Sequence, residues 1–125
     1  MTGRLYNSSI AGLGNIAWRL GDKESCLNHA STYLQNSKTT LEAGFDIDQL
    51  SKSKFSKKYQ VKSYETFEDM LEKATPDIVS VCSPTKEHFN QVSLCLDKKI
   101  PMVWLEKPPS NTLEETKELI KKKEF

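Results

Sequence analysis

Short apolar runs alternate with amphipathic stretches along the whole chain. Residues 5–11 end in Ile10-Ala11 and predict a first strand, although Asn7-Ser8-Ser9 is unusually polar for the centre of a buried parallel strand. A helix is expected to start after Gly14, carry Ile16, Ala17 and Leu20, and break at Gly21-Asp22. A second helical piece spans residues 28–35, and residues 40–45 read as a second strand. Residues 49–59 read as a helix with Leu50 and Phe55 inward, and residues 62–64 as a short third strand. The next helix has clear punctuation: Thr66 caps it, Asp69 follows three residues on as in a capping box, and Phe67, Met70 and Leu71 form its apolar face.

Pro76-Asp77 then leads into Ile78-Val79-Ser80-Val81-Cys82, a near-continuous apolar run typical of a central parallel strand. Ser83-Pro84-Thr85 turns the chain into a helix bearing Phe89, Val92, Leu94, Cys95 and Leu96. Ile100-Pro101 precedes a fifth strand, residues 102–105. Thr112, with Glu115, caps a last helix whose main apolar positions are Leu113, Leu119 and Ile120. Five strands, each followed by helical sequence, predict an α/β fold: a doubly wound parallel sheet of Rossmann type in three layers, α/β/α. The expected strand order is 3-2-1-4-5, so a ligand should rest beyond the C-terminal ends of strands one and four, where the order reverses. No strand-like sequence follows the last helix. The sixth strand of such a sheet is therefore expected to be missing, leaving apolar strand five as an exposed edge that self-associates.

The chain has 125 residues, which suits one domain, with 37% hydrophobic and 28% charged residues. With 18 basic against 17 acidic residues the net charge is +1, which gives no electrostatic case for nucleic acid. Lys121-Lys122-Lys123 reads as a solvated helix end. Three cysteines, Cys26, Cys82 and Cys95, without a C-x-x-C pair, read as reduced thiols of a cytosolic protein. The two histidines, His29 and His88, lie far apart and no metal-ligand spacing occurs. No apolar run approaches membrane length and no signal region follows Met1, so a cytoplasmic location without membrane association is expected.

The candidate chemistry starts at Ile10-Ala11-Gly12-Leu13-Gly14-Asn15-Ile16-Ala17, a Gly-x-Gly-x-x-Ala turn between strand and helix. Gly12 permits the tight turn, Gly14 lets the backbone approach a phosphate, and Ala17 is small enough for close helix packing. The helix start offers N–H groups to an anion. Asp46, at the end of the second strand and beside Ile47, can accept both ribose hydroxyls and would repel a 2′-phosphate, favouring NAD over NADP. It stands further from the glycines than usual, an excess that extra residues between Gly21 and Asn28 account for. Asp48 is a weaker candidate, equally well read as a helix cap. Cys82, Ser83, Pro84, Thr85 and His88 follow the central strand where a ligand would lie, although a lone histidine there is more often a packing or capping residue. Glu106-Lys107-Pro108-Pro109 follows the fifth strand. A lysine there can stabilise a developing oxyanion, with Glu106 to orient it or pair with it. A charged strand end before a proline turn explains the same residues on their types alone.

Taken in order, Gly12-x-Gly14-x-Ile16-Ala17, Gly44-Phe45-Asp46-Ile47-Asp48, Cys82-Ser83-Pro84-Thr85 with His88, and Glu106-Lys107-Pro108 resemble the N-terminal half of a Gfo/Idh/MocA oxidoreductase. The resemblance covers nearly the whole chain, and the Glu-Lys-Pro block is its most specific part. It implies a domain, residues 1–125, that binds NAD, or less readily NADP, through the residues just named. It implies oxidation or reduction of a sugar, cyclitol or nucleotide-sugar hydroxyl, with Lys107 as the catalytic or substrate-positioning lysine. The family's second acid/base residue belongs to a C-terminal substrate domain that this chain does not contain, so the chain alone is expected to be inactive. A homo-oligomer is expected. The region from Trp18 to His29 is longer than the family pattern and the first strand more polar. A non-catalytic nucleotide-binding or regulatory module is the alternative. A methyltransferase would share the glycine turn and the acidic strand end, but not Glu106-Lys107-Pro108.

Overall fold

A computed structural model describes residues 3–21 and 27–123. Five strands form one all-parallel sheet: β1 (Tyr6–Ala11), β2 (Thr39–Phe45), β3 (Lys62–Ser63), β4 (Ile78–Val81) and β5 (Met102–Leu105). Their order is β3-β2-β1-β4-β5, as the sequence predicts, with the reversal between β1 and β4. The helices are α1 (His29–Gln35), α2 (Gln49–Tyr59), α3 (Phe67–Ala74), α4 (Thr85–Asp97) and α5 (Leu113–Lys123).

Two apolar clusters sandwich the sheet. On one face Ala11, Ala43, Phe45, Val79 and Val81 pack beneath Met70 and Leu71 of α3, Val92 and Cys95 of α4 and Leu119 of α5. On the other, Ile10, Leu41 and Ile78 pack beneath Ala17, Ala30, Tyr33 and Phe55. Alternation along each strand supplies both faces, which is why β4 reads as a continuous apolar run.

The polar start of β1 has a specific use. Asn7 exchanges three hydrogen bonds with Asp77: the Asp77 N–H donates to the Asn7 carbonyl at 3.0 Å and to Oδ1 at 2.6 Å, and the Asn7 N–H donates to Asp77 Oδ2 at 3.0 Å. This clamp fixes β1 against the approach to β4. The Ser8 hydroxyl donates to the Thr40 carbonyl at 2.7 Å, beside a register shift between Ser8 and Ser9 that skips Glu42. The Ser9 hydroxyl is buried with no hydrogen-bond partner.

Three expectations are corrected. The helix after Gly14 is a single five-residue π-helical turn, Asn15–Arg19, and Leu20 beyond it is exposed. Leu50 is exposed because the inward side of α2 is set by Lys52 and Phe55, three residues apart, and Leu50 falls on the outer side. In α5 only Leu119 is buried, while Leu113 and Ile120 face out. The Asp22 part of the predicted helix break and Cys26 lie outside the described residues. The caps stand: Thr66 Oγ1 accepts from the Asp69 N–H at 3.0 Å and Thr112 Oγ1 from the Glu115 N–H at 3.1 Å. Among the described residues, no helix is long and apolar enough to cross a membrane.

Candidate cofactor site at the C-terminal edge of the sheet

The glycine turn leaves the end of β1 and runs against the loop after β4. Gly12 has φ +86°, and a Cβ there would lie 2.3 Å from the Ser83 nitrogen, so only glycine fits. Around it the Gly12 N–H donates to the Phe45 carbonyl at 2.8 Å and the Cys82 N–H to the Ala11 carbonyl at 2.7 Å. A Cβ built on Gly14 would meet nothing within 4 Å, so its backbone borders open space. That is the surface a phosphate needs for close approach. Trp18 braces the turn from beneath: its Nε1–H donates to the Leu13 carbonyl at 3.0 Å and its ring packs edge-on against Phe55 and Tyr59.

Asp46 closes the turn from the β2 side. Its Oδ2 accepts from the Leu13 N–H at 2.8 Å and its Oδ1 from the Asp48 N–H at 2.8 Å. The carboxylate is half-buried, and each oxygen keeps a lone pair for a ligand hydroxyl. Leu13 itself is fully buried, so its side chain cannot touch a cofactor and its amide is engaged by Asp46. Asp48 resolves as the cap of α2. The Ser51 hydroxyl donates to its Oδ2 at 2.6 Å and the Ser51 N–H at 3.0 Å, and these bonds hold the carboxyl below its ordinary range.

Gly12, Phe45, Asp46, Ile47, Ser83 and Pro84 line one small pocket of about 40 Å³ between the ends of β1, β2 and β4, with Lys86, Glu87 and Gln91 at its rim. The sequence therefore brings the glycine turn, the acidic strand end and the post-β4 loop together. Asn15 is exposed and Ile16 half-buried on the same turn, and Ile47 is 81% exposed. A larger cavity of about 600 Å³ lies between α4, β5 and α5, lined by apolar side chains such as Val92, Leu96, Val103 and Leu119. None of the candidate residues line it.

His88 is a correction. It is 1% exposed, with Nε2 2.8 Å from the Ser83 carbonyl and Nδ1 2.7 Å from the Pro108 carbonyl. It ties the loop after β4 to the loop after β5 from within, with both ring nitrogens engaged by backbone carbonyls. Ser83 Oγ is itself held by Gln91 Oε1 at 2.5 Å. Cys82 is half-buried, and burial together with the nearby Glu106 carboxylate raises its thiol pKa. Burial pushes the Cys95 thiol up to about 12. Neither is a nucleophile at neutral pH.

Glu106 continues β5, its N–H donating to the Val81 carbonyl at 3.0 Å. Its carboxylate does not pair with Lys107. It lies 2.8 Å from Nε2 of His29, a buried residue at the start of α1. His29 is the partner of Glu106 that sequence reasoning misses. The available signals were Ser80, a hydroxyl inside an apolar strand, and the His29–Tyr33 spacing of one helical turn. Lys107 is exposed, makes no hydrogen bond or ion pair among the described residues, and precedes Pro108 through a cis peptide bond.

Comparison with known proteins identifies the family and the fold. The family described as "Oxidoreductase family, NAD-binding Rossmann fold" matches residues 7–124. D-glucoside 3-dehydrogenase of Escherichia coli K12 is 30% identical over 120 residues, covering 95% of this chain and 32% of that protein. A probable dehydrogenase from Thermotoga maritima superposes with a TM-score of 0.80 at 27% identity, over 94% of this chain and 33% of that one. The WlbA dehydrogenase from Bordetella pertussis, crystallised with NADH and UDP-GlcNAcA, shares the fold with a TM-score of 0.84 at 19% identity, over 99% of this chain and 34% of that one. The chain thus spans about a third of the length of these relatives. With its glycine turn, acidic β2 end and Glu106-Lys107-Pro108 block in the expected places, the chain belongs to the Gfo/Idh/MocA oxidoreductase family, as a NAD-binding Rossmann domain.

Proposed function

We propose that this chain seats NAD(H) across the C-terminal edge of its sheet, and that the whole protein oxidises or reduces a hydroxyl of a sugar, cyclitol or nucleotide sugar. The observation that carries this reading is the convergence of Gly12, Asp46 and Ser83 on one pocket, with open space over Gly14. The name of the Escherichia coli relative supports the substrate class. Gly12, Gly14, Asn15 and Ile16 would border the pyrophosphate, Asp46 and Ile47 the adenosine ribose, and Cys82 to Thr85 with Glu106 and Lys107 the reactive end. NAD supplies the hydride acceptor when bound. Lys107 has no competing partner among the described residues, and its ammonium would hydrogen-bond the oxygen of the reacting hydroxyl and stabilise negative charge developing on it, while the hydroxyl proton passes to a base of the substrate domain. We further infer that residues 1–125 form the cofactor domain, that a separate domain covers the substrate, and that the protein works in the cytoplasm.

Calorimetry tests the cofactor half. NAD(H) should bind more tightly than NADP(H), because the Asp46 carboxylate accepts hydroxyls and repels a phosphate. Asp46→Asn keeps an acceptor for the Leu13 N–H but loses the charge and the acceptor for the Asp48 N–H. It should weaken NAD binding about tenfold and narrow the discrimination, as loss of a charge-assisted hydrogen bond implies. Preference of the unmodified chain for NADP would remove Asp46 from this role. Kinetics of the whole protein test the catalytic half. Lys107→Ala should lower kcat about a hundredfold or more, with NAD affinity little changed. Near-intact turnover would make Lys107 a strand-end residue and favour a role for the domain outside the chemistry.

A further inference from the structure

The sheet face under α1 carries buried hydroxyls among its apolar side chains, and one of them gathers side chains from the helix. Ser80, midway along β4, is fully buried beside Trp104 of β5, its register partner. Two side chains from α1 come down on it. The Tyr33 hydroxyl lies 2.5 Å from Ser80 Oγ, and His29 Nδ1 lies 2.7 Å from the same oxygen. The imidazole rests on the Trp104 ring, centroids 3.8 Å apart and tilted by 34°. Its other nitrogen, Nε2, meets Glu106 Oε2 at 2.8 Å. Four polar groups thus run in line from the interior to the end of β5.

Only one proton arrangement satisfies a neutral ring here. A carboxylate accepts, so Nε2–H must donate to Glu106 and Nδ1 must accept from the Ser80 hydroxyl. Ser80 Oγ then accepts from the Tyr33 hydroxyl. The surroundings agree. Burial lowers the pKa of His29, opposed by its bond to Glu106 and by the carboxylate charge. Burial also raises Tyr33 to about 12, so it remains a phenol donor. Glu106, Tyr33 and the half-buried Cys82 are the titratable groups around this line. The line ends at Tyr33, which is 4% exposed. A proton entering from Glu106 has no exit at that end, so conduction is not its use. Orientation is. The stack fixes the ring plane, Ser80 fixes the tautomer, and the result is one aimed N–H beneath a carboxylate that remains about a quarter exposed.

We infer that His29 is a positioning residue for the Glu106-Lys107 strand end: its Nε2–H holds the Glu106 carboxylate in one orientation at the reactive end of the cleft, and Tyr33 with Ser80 set the tautomer that does so. The placement of that reactive end rests on the function proposed above, whereas the hydrogen-bonded line does not.

The test has two arms. In the first, ¹⁵N NMR of the imidazole in this chain reads the tautomer without reference to catalysis. A neutral Nε2–H ring near pH 7 is expected, and Ser80→Ala and Tyr33→Phe should each shift the tautomer balance. A Nδ1–H ring, or no response to either substitution, overturns the inference. In the second arm the whole protein is assayed for dehydrogenase activity and NAD affinity. His29→Leu removes the donor and should lower kcat about tenfold or more, with the NAD dissociation constant changed less than threefold. His29→Gln returns an N–H near the Nε2 position and should recover most of that loss. Equal rates for His29→Leu and the unmodified protein overturn the inference, as does failure of His29→Gln to outperform His29→Leu. If His29→Leu does not fold, Ser80→Ala and Tyr33→Phe carry the kinetic arm, each expected to lower kcat a few-fold, and unchanged kcat in both overturns it. Failure of the function proposed above reads differently: Lys107→Ala is then silent while the NMR arm keeps its result.

Discussion

At the scale of single residues, His29 makes folding sensitive to pH in a defined direction. Its pKa is lowered in the folded protein, chiefly by burial, from an ordinary value of 6.5. Below that value the unfolded chain binds a proton that the folded chain refuses, so stability falls as pH drops from about 6.5 toward the lowered folded value. Below the folded value both states are protonated and this contribution stops changing. Tyr33 acts in the opposite sense at the alkaline end. Between its ordinary 10.0 and about 12 the unfolded chain loses a proton that the folded chain keeps, so stability falls as pH rises. Urea midpoints compared at pH 8 and pH 5.5 should show the acid loss. His29→Gln should flatten that difference, and an unchanged pH dependence in this variant would mean that other groups carry it.

At the scale of elements, the strands and caps were legible because local chemistry dictates them. β4 announces itself by composition, and Thr66 and Thr112 place their helices through single hydrogen bonds that need no distant partner. The misses share one cause, which is that the missing information was tertiary. Leu50, Leu113 and Ile120 look like core residues by type, but which side of a helix faces the sheet depends on where the helix docks. The helix after Gly14 ends at Arg19, and Asn28, which caps α1, donates its Nδ2–H to the Leu20 carbonyl at 2.6 Å, a link between two elements that no local pattern announces. In the site, the glycine turn, Asp46 and the loop after β4 were readable from motif spacing. The His29–Glu106 pair spans 77 positions and leaves no periodic trace. One helix end also carries a correctable cost. Thr75 ends α3 with φ +42°, in the left-handed region, and is exposed with no hydrogen bond of its own among the described residues. A β-branched residue there costs about 1–2 kcal/mol, while glycine would lose about 0.5–1 kcal/mol more backbone entropy on folding. Thr75→Gly should therefore stabilise the fold by about 0.5–1 kcal/mol, a rise in Tm of about 2–4 °C by calorimetry. A lower Tm would show that the threonine is not strained.

At the scale of the whole molecule, the sheet protects its two edges unequally. β3 is two residues long, and a short edge offers little to pair with. β5 is four residues long, apolar in sequence, and hydrogen-bonded among the described residues to β4 alone. Met102 is 59% exposed and Trp104 40%, and the apolar cavity of about 600 Å³ opens beside the strand. An unprotected edge of this kind pairs most simply with its own copy about a two-fold axis. The cavity rim carries Lys99 and Lys123, together with Lys122, which is paired with Asp97 at 2.9 Å, and a two-fold axis at β5 would bring the Lys99 and Lys123 of the two copies toward each other. Repulsion between them opposes pairing at low salt and is screened at high salt. We therefore expect this chain to be mostly monomeric in dilute, low-salt buffer and to dimerise as protein and salt concentrations rise. Light scattering across a salt series checks this. A strict monomer at high protein concentration in 1 M salt would show that the β5 edge is not adhesive.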